Sequence, residues 1–510
     1  MSQNLSTNKR IAKNSFLLYV RMIVVMAISF YSIRVVLHAL GEEDYGIYNV
    51  VSGFVTSLIF VNNALQGATQ RFYSYTIGKG DEEELQTVFS VSMKCYLLLV
   101  LLFVLFCETV GLWFVNSKLV IPESRIWATN IVYQFSILSV IISFIYLPFS
   151  SLLIAFERMN IWAYVSIAHS ALSLLLSISL NYMGFDKLIL YSIFVLISQF
   201  FVLICYRTCC IKSYPTICVV KSKRSNSILK SILFFSGWSL YGHLAGVLNN
   251  QGNTILLNVF FGPIVNTARA ISLQVHTALV TLAGNYTMAF RPPMVKCYAA
   301  GDYPHLNALY LLSNKCIFYS LLLVCIPLTI ETRFVLTVWL GEVSDNMIIF
   351  TKWSIWYAFV LSLSAPITIV MQATGRIKKY HMIVETITVL SMPITYLLFK
   401  LGSPPVATFE VTFGIFFIAH IFRLVVLEKE VREMSIISYL KDFLISGIVI
   451  TIISFGISYY LCSLTCDGWM RLLLVCVINV SIVVLLAYFF AINKSERLQI
   501  NKLVKNVVKK

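Results

Sequence analysis

The sequence is short of charge. Of its 510 residues only 12% are Asp, Glu, Lys or Arg, and just 23 are acids. Soluble domains carry about 25% charged residues, so much of the usual solvating charge is absent. That shortage excludes a soluble enzyme hung on a membrane anchor. A hydrophobic content of 58% excludes a disordered or fibrous chain. No zinc-type CxxC pair occurs, and the twelve cysteines are scattered, mostly in apolar runs where they pack as small hydrophobes. Cys462 and Cys466 lie near an expected outer loop, where a disulfide is open to them and packing is the alternative. No cleavable signal peptide is visible: residues 1–13 are polar, and the apolar run after them is too long for a signal core. No stretch between apolar runs is large enough for a catalytic domain. The longest, 211–230, is basic and polar. No metal or cofactor is expected.

What is present is long apolar runs, with a mean hydropathy of +0.82. A membrane span needs about 20 apolar residues. Fourteen runs qualify: 16–40, 45–71, 85–115, 126–156, 162–183, 188–210, 231–261, 265–290, 306–330, 347–374, 380–401, 407–427, 439–464 and 470–492. They are continuous rather than alternating, so helices are expected and not a barrel. The fold class expected is an all-α polytopic membrane protein.

The net charge of +16 would suggest nucleic acid in a soluble protein. Here the cations follow the rule that cytoplasmic loops collect Lys and Arg. With the N-terminus inside, 27 cations fall on inner segments and six on outer ones: Lys118, Arg125, Lys187, Arg333, Lys400 and Arg471. The split supports fourteen spans with both termini cytoplasmic. The basic tail 494–510 is expected on anionic headgroups.

The two halves repeat. At an offset of 221, Gly41 falls on Gly262, Gly80-Asp81 on Gly301-Asp302, and Ser92-x-Lys94-Cys95 on Ser313-x-Lys315-Cys316. At an offset of 218, Pro148 falls on Pro366, Ala155 on Ala373, Arg158 on Arg376 and Gly184 on Gly402. Six spans separate equivalents, so both copies enter the membrane in the same sense, as in parallel-repeat transporters. The expected domains are a six-helix lobe over 1–211, a basic linker over 212–230, a second six-helix lobe over 231–427, and two further helices with a basic tail over 428–510. Two like-oriented bundles with a cleft between them suit alternating access.

An ionisable group in lipid costs roughly 2.5–3.5 kcal/mol and usually faces a cavity or a partner. Arg21, Arg34 and Arg269 lie within spans one and eight. They are candidate anion-binding cations, because a guanidinium offers phosphate a bidentate fork. Lys94 and Lys315 are weaker candidates, since both could mark an interface, and Lys352 beside Trp353 and Trp356 reads as an interfacial belt. Span two carries Asn62, Gln66 and Gln70 on one helical face; span seven carries Asn249, Asn250, Gln251 and Asn253, with His243 two turns earlier. These amides are candidates for binding sugar hydroxyls, with helix–helix hydrogen bonding as the alternative. Pro148, Pro327, Pro366 and Pro393 are expected to kink helices, and Pro292-Pro293 to end span eight.

The stretch Asn8-Lys9-Arg10-Ile11-Ala12-Lys13-Asn14-Ser15, then Leu40-Gly41-Glu42-Glu43-Asp44-Tyr45-Gly46-Ile47-Tyr48, resembles the polysaccharide-exporter branch of the multidrug/oligosaccharidyl-lipid/polysaccharide superfamily. The segment Gln372-Ala373-Thr374-Gly375-Arg376, followed by Tyr380, is similar to that branch's junction between spans ten and eleven. The resemblance implies a flippase for lipid-linked oligosaccharide, such as an O-antigen, capsule or exopolysaccharide repeat unit on undecaprenyl diphosphate. It implies two six-helix lobes around a cationic cavity in a bacterial inner membrane. The lipid-linked oligosaccharide, membrane lipids and other polysaccharide-assembly proteins would be its partners. A peptidoglycan-precursor flippase shares these features. A cation-coupled drug antiporter would need buried carboxylates, and span one has none between Ile11 and Gly41. A glycan polymerase or ligase would need a large outer loop, which is missing.

Overall fold

A computed structural model describes the backbone of residues 2–59, 65–66, 69–70, 72–73, 76–77, 79–156, 158–219, 226–374, 377–431, 433–465 and 467–491. Side chains are described over the same residues except 2–20, 159, 226–243, 288–289, 292, 296, 299, 377, 463 and 491. Among the described residues every regular element is a helix. A helix closes its hydrogen bonds within itself, whereas an open strand in hydrocarbon would strand a row of them. Eleven helical stretches, from Arg21–Ser57 to Trp469–Phe490, are long and apolar enough to cross a membrane. The expected spans seven and eight are also helical, over Asn226–Phe261 and Pro263–Ala299, at 36 and 37 residues. The chain is a multi-pass, all-α membrane protein.

Hydroxyls within the helices donate to the carbonyl three or four residues back. Examples are Ser52 to Tyr48 (2.6 Å), Ser136 to Val132 (2.7 Å) and Thr412 to Thr408 (2.7 Å). This local bond lets a polar residue sit in an apolar span without a distant partner.

The chain divides into two compact units, Met1–Thr267 and Ala268–Lys510. In the first, span four (Ile126–Ala155) lies along span six (Lys187–Ser213), and span five (Met159–Ser179) along the first helix. Phe103 and Phe144 meet at 5.7 Å in its core. The Tyr133 hydroxyl donates to the Cys107 carbonyl (2.7 Å), at the head of the π-helical turn Cys107–Gly111. Helix Asn226–Phe261 packs on the helix Ser2–Ser57, where Gln251 faces Gly53, and on span three, so by contact it groups with this unit.

In the second unit Phe318 is ringed by Phe359 (4.9 Å) and Phe443 (5.3 Å). The last two spans pack on span nine (Tyr303–Ile330). Gly447 makes room for the Phe318 ring, whose Cζ would stand 2.8 Å from a Cβ there. Asn479 on span fourteen donates to the Leu322 carbonyl (3.3 Å).

The repeat is written in the backbone. Gly41 and Gly262 both break their helices with left-handed φ, +78° and +81°. Gly80 and Gly301 adopt +73° and +72°, and each amide donates to a carbonyl three residues back at 3.1 Å, Ile77 and Tyr298. The next residue caps the following helix in both copies: Asp81 accepts from the Glu84 amide (2.8 Å), and Asp302 from the His305 amide (3.2 Å). This is the N-cap geometry that satisfies an orphan amide.

The prolines act in two ways. Pro148 and Pro327 sit inside continuous helices, Ile126–Ala155 and Tyr303–Ile330. Pro366 and Pro393 instead follow helix breaks, near the starts of Ala365–Thr374 and Ser391–Lys400, where a proline's missing amide costs little. Pro292-Pro293 does not end its helix, which runs on to Ala299.

The cations expected outside mostly have partners. Arg125 pairs with Asp44 and with Asp186 (2.7 Å), Arg333 with Asp345 (2.8 Å), and Arg471 with the fully buried Glu331 (2.7 Å) and with Asp467. Lys118 and Lys400 lie over Trp113 and Tyr396. Cys462 meets Glu331 (3.4 Å), while Cys466 lies outside the described residues, as do Asn62, Arg376 and the basic tail.

A left-handed backbone costs a non-glycine residue about 1–2 kcal/mol. Gly80→Ala and Gly301→Ala should each lower the melting temperature of the purified protein, by similar amounts. The helical Gly414, with open space around its Cα, should accept Ala without loss.

Candidate functional site

A buried polar cluster of the second unit grows out of a break in span ten. The helix Asp345–Ser362 stops two residues before Ala365–Thr374 begins, with Pro366 at its second position. Ser364 is left at the break, buried, with its carbonyl accepting from the Thr368 amide (3.1 Å). Its hydroxyl accepts from Arg423 Nη1 (2.9 Å) and meets His420 Nδ1 (3.1 Å). His420 and Arg423 stand three residues apart on span twelve, hence on one face, and are only 7% and 6% exposed. His420 Nε2 reaches the Tyr439 hydroxyl at 3.2 Å. One turn beyond Ser364, Thr368 meets the Tyr380 hydroxyl at 2.9 Å.

Three of these residues, Ser364, Thr368 and Arg423, line a cavity of about 520 Å³. Its polar lining is Thr287, Arg291, Ser362, Ser364, Thr368 and Arg423; the rest is apolar. Arg291 is exposed and donates to Gln372 Oε1 (2.6 Å). Two guanidiniums therefore line one cavity, and among its described lining residues there is no carboxylate. A charge taken out of water without a counter-ion is costly. An anion entering here would meet one buried guanidinium, Arg423, and one exposed one, Arg291.

A second cavity, of about 460 Å³, lies in the first unit. Its lining includes Thr56, Gln66, Ser139, Ser143, Tyr146, Ser150, Trp162, Ser166, His169, Ser170, Gln199 and Tyr206, and among the described lining residues there is no Asp, Glu, Lys or Arg.

The residues singled out from the sequence scatter. Arg269 is 4% exposed, with its guanidinium 5.4 Å from the centre of the Phe409 ring, and it lines neither cavity. Further along the same helix, His276 stacks on Tyr357 at 4.4 Å. Arg21 lies 4.0 Å over the Trp162 ring, and that ring lines the first unit's cavity. Arg34 is exposed on span one. The repeat equivalents part: Lys94 is exposed and Lys315 is 4% exposed. Gln66 lines the first unit's cavity, and Gln70 is half-buried. Asn249 and Asn253 are buried and Asn250 exposed, while the side chain of His243 is not described. A fifth amide of span seven, Asn258, accepts from the Val120 amide (2.9 Å) and donates to its carbonyl (3.3 Å), a helix-to-loop tie.

Arg291 and Arg423, the cavity's two arginines, were counted from sequence only as charges of cytoplasmic loops. Arg423 carried a usable signal, because it lies inside the span boundary 407–427 with His420 one turn before it. Arg291 directly follows span eight and gave none. Ser364 was invisible, since only the helix break singles it out.

No family model matches the chain, and no curated protein matches it. Solved structures do. The lipid II flippase MurJ in an inward closed conformation superposes with a TM-score of 0.68 at 17% identity, over 94% of this chain and 98% of that one. An inward-facing multidrug resistance MATE family transporter of the MOP superfamily gives 0.66 at 15% identity, over 82% and 98%. A MOP superfamily transporter from Pyrococcus furiosus, described by the reverse polarity of its binding pocket, gives 0.60 at 15%, over 83% and 96%. The chain has the fold of these transporters.

Ser364 holds the cavity's buried cation and its histidine together. Ser364→Ala should destabilise the protein by about 1–3 kcal/mol, the cost of leaving buried polar partners unmet. Ser364→Thr should lose less. Thermal unfolding in detergent reads both.

Proposed function

We propose that the protein is a flippase that carries a lipid-linked oligosaccharide, a repeat unit of O-antigen, capsule or exopolysaccharide on undecaprenyl diphosphate, from the cytoplasmic to the outer leaflet of a bacterial inner membrane by alternating access. It is a transporter rather than an enzyme, with both termini in the cytoplasm. One observation carries this reading: two arginines, Arg291 and Arg423, line a cavity within a membrane-spanning unit whose described lining residues include no carboxylate. A diphosphate offers several oxygens to such donors, and charge-assisted hydrogen bonds to a guanidinium are the stronger kind. The buried candidates Arg269 and Lys315, together with Arg21 against Trp162, add positive charge to the interior. A cation-coupled antiporter needs the opposite chemistry, a buried acid for its ion or drug.

A second reading within the same class, a peptidoglycan-precursor flippase, is favoured by the likeness to the lipid II flippase over 94% of this chain. The two share a diphosphate lipid and differ in the glycan.

Deletion of the coding sequence should leave undecaprenyl-linked glycan on the cytoplasmic leaflet and remove surface polysaccharide. Accumulation of peptidoglycan precursor instead would select the second reading. Arg291→Ala and Arg423→Ala should each cut export about tenfold or more, the factor for the roughly 1.5–3 kcal/mol of a charged hydrogen bond. Lys at either position should restore part of it at equal membrane abundance. Normal export in both Ala variants would sink the diphosphate site.

A further inference from the structure

The two cavities are copies of each other, and only one of them is charged. At the offset of 218, Ser143, Tyr146, Leu147 and Ser150 fall on Leu361, Ser364, Ala365 and Thr368. The first four line the first unit's cavity and the second four line the second unit's. At the offset of 221, Ile59 falls on Val280 and Gln66 on Thr287, again lining to lining. Neither cavity is a packing accident, because the same register positions open both. The charge is what differs. The position of Arg291 is held by Gln70 in the first copy, and that of Arg423 by Cys205.

We propose that the first unit's cavity is a binding site for an uncharged sugar. Among its described lining residues there is no carboxylate to hold a cation and no Lys or Arg to hold an anion. A purely lipid-filling pocket would not carry this many polar groups. What remains suits a neutral polyol. Ser139, Ser150, Ser166 and Ser170 donate their hydroxyl hydrogens to carbonyls of their own helices, at 2.8 to 3.0 Å. They therefore present oxygen lone pairs, which sugar hydroxyls can donate to. Gln66 and Gln199 supply both donors and acceptors. His169 has a buried Nε2 with no hydrogen-bond partner, so a buried polar atom of the lining waits for one. Trp162, Tyr146 and Tyr206 add ring faces, the two tyrosines 5.7 Å apart, and aromatic faces pack the apolar side of a sugar ring. Arg21 lies over the Trp162 ring and outside the lining, with its buried Nε also without a hydrogen-bond partner. The volume, about 460 Å³, falls in the roughly 300–1,000 Å³ of small-molecule sites.

This assignment rests on the flippase reading for its biological sense, and it is tested apart from it. The full-length protein in lipid nanodiscs, free of maltoside detergent, is photolabelled with a neutral disaccharide bearing a diazirine. Labelled peptides are expected to come from residues 139–170 and 195–206. Unlabelled neutral disaccharide should compete and inorganic pyrophosphate should not. Trp162→Ala should lower labelling about tenfold, the factor that roughly 1.4 kcal/mol makes, and Trp162→Phe, which keeps a ring, should retain most of it. Gln199→Leu, which keeps the volume, should lower it too. Labelling mapped to residues 280–291 or 361–372, competition by pyrophosphate, or unchanged labelling in Trp162→Ala and Gln199→Leu would each overturn the proposal. Pyrophosphate binding measured on the same nanodiscs and lost in Arg423→Ala reports on the diphosphate site alone. Sugar labelling absent with pyrophosphate binding intact defeats this inference and leaves the flippase reading standing. The converse result defeats only the diphosphate site.

Discussion

A guanidinium enclosed in an apolar unit has to be answered by something, and the nature of the answer decides what the site can do. Arg423 is answered by a hydroxyl, Ser364, and through it by His420 and Tyr439. Everything that brings Ser364 to that point follows from one break in span ten. The helix stops at Ser362 and restarts at Ala365, and Pro366 makes the restart inexpensive. In the first copy the equivalent Pro148 lies within an unbroken helix, and Tyr146 occupies the register of Ser364. One fold, with one proline in common, yields a charged cavity where the helix opens and a neutral one where it does not.

The glycines explain why the repeat survives so little sequence identity between copies. Only four kinds of position must be kept: a left-handed residue at the first helix break, another at the second turn, the acid that caps the following helix, and the proline of the fourth span. Gly41 with Gly262, Gly80 with Gly301, and Asp81 with Asp302 meet these needs with closely matched φ values and the same hydrogen bonds. The remaining positions need only be apolar and of tolerable size, which lipid-facing helices satisfy with many sequences. Register was therefore legible where backbone geometry demands a residue type, and not elsewhere.

The same distinction governs what could be read of the site. Class, helical spans and repeat all follow from one-dimensional patterns: long apolar runs and residues with special backbone roles. A cavity depends on which helices lie beside which, and no periodicity states that. Arg34 and Arg269 drew notice because they sit deep in their spans, yet Arg34 is exposed and Arg269 rests against Phe409. Arg291 and Arg423 sit near span ends, where a cation is ordinary, and only packing sets them around one space. The amides of spans two and seven divide likewise. Gln66 lines a cavity, and Asn258 ties a loop. Polarity within a span shows that a residue has a task without showing which.

The partners given to the buried arginines bear on mechanism. A buried carboxylate would neutralise each charge and fix it, and breaking such a pair costs about 3–5 kcal/mol. An anionic ligand would have to overcome that before gaining anything. Among the described contacts Arg423 meets the hydroxyl of Ser364, and Arg21 lies over the ring of Trp162. A cation–π contact is worth about 0.5–2 kcal/mol and leaves the formal charge unspent. Carboxylates are used where charge must be fixed, at the helix ends, where Asp44, Asp186 and Glu331 hold Arg125 and Arg471. A chain with only 23 acids against 39 cations thus spends several of its acids on structure. Arg423, held by a hydroxyl that leaves its charge uncancelled, stays able to take an anionic partner, and an anion carrier needs a cation that can both take and release its cargo.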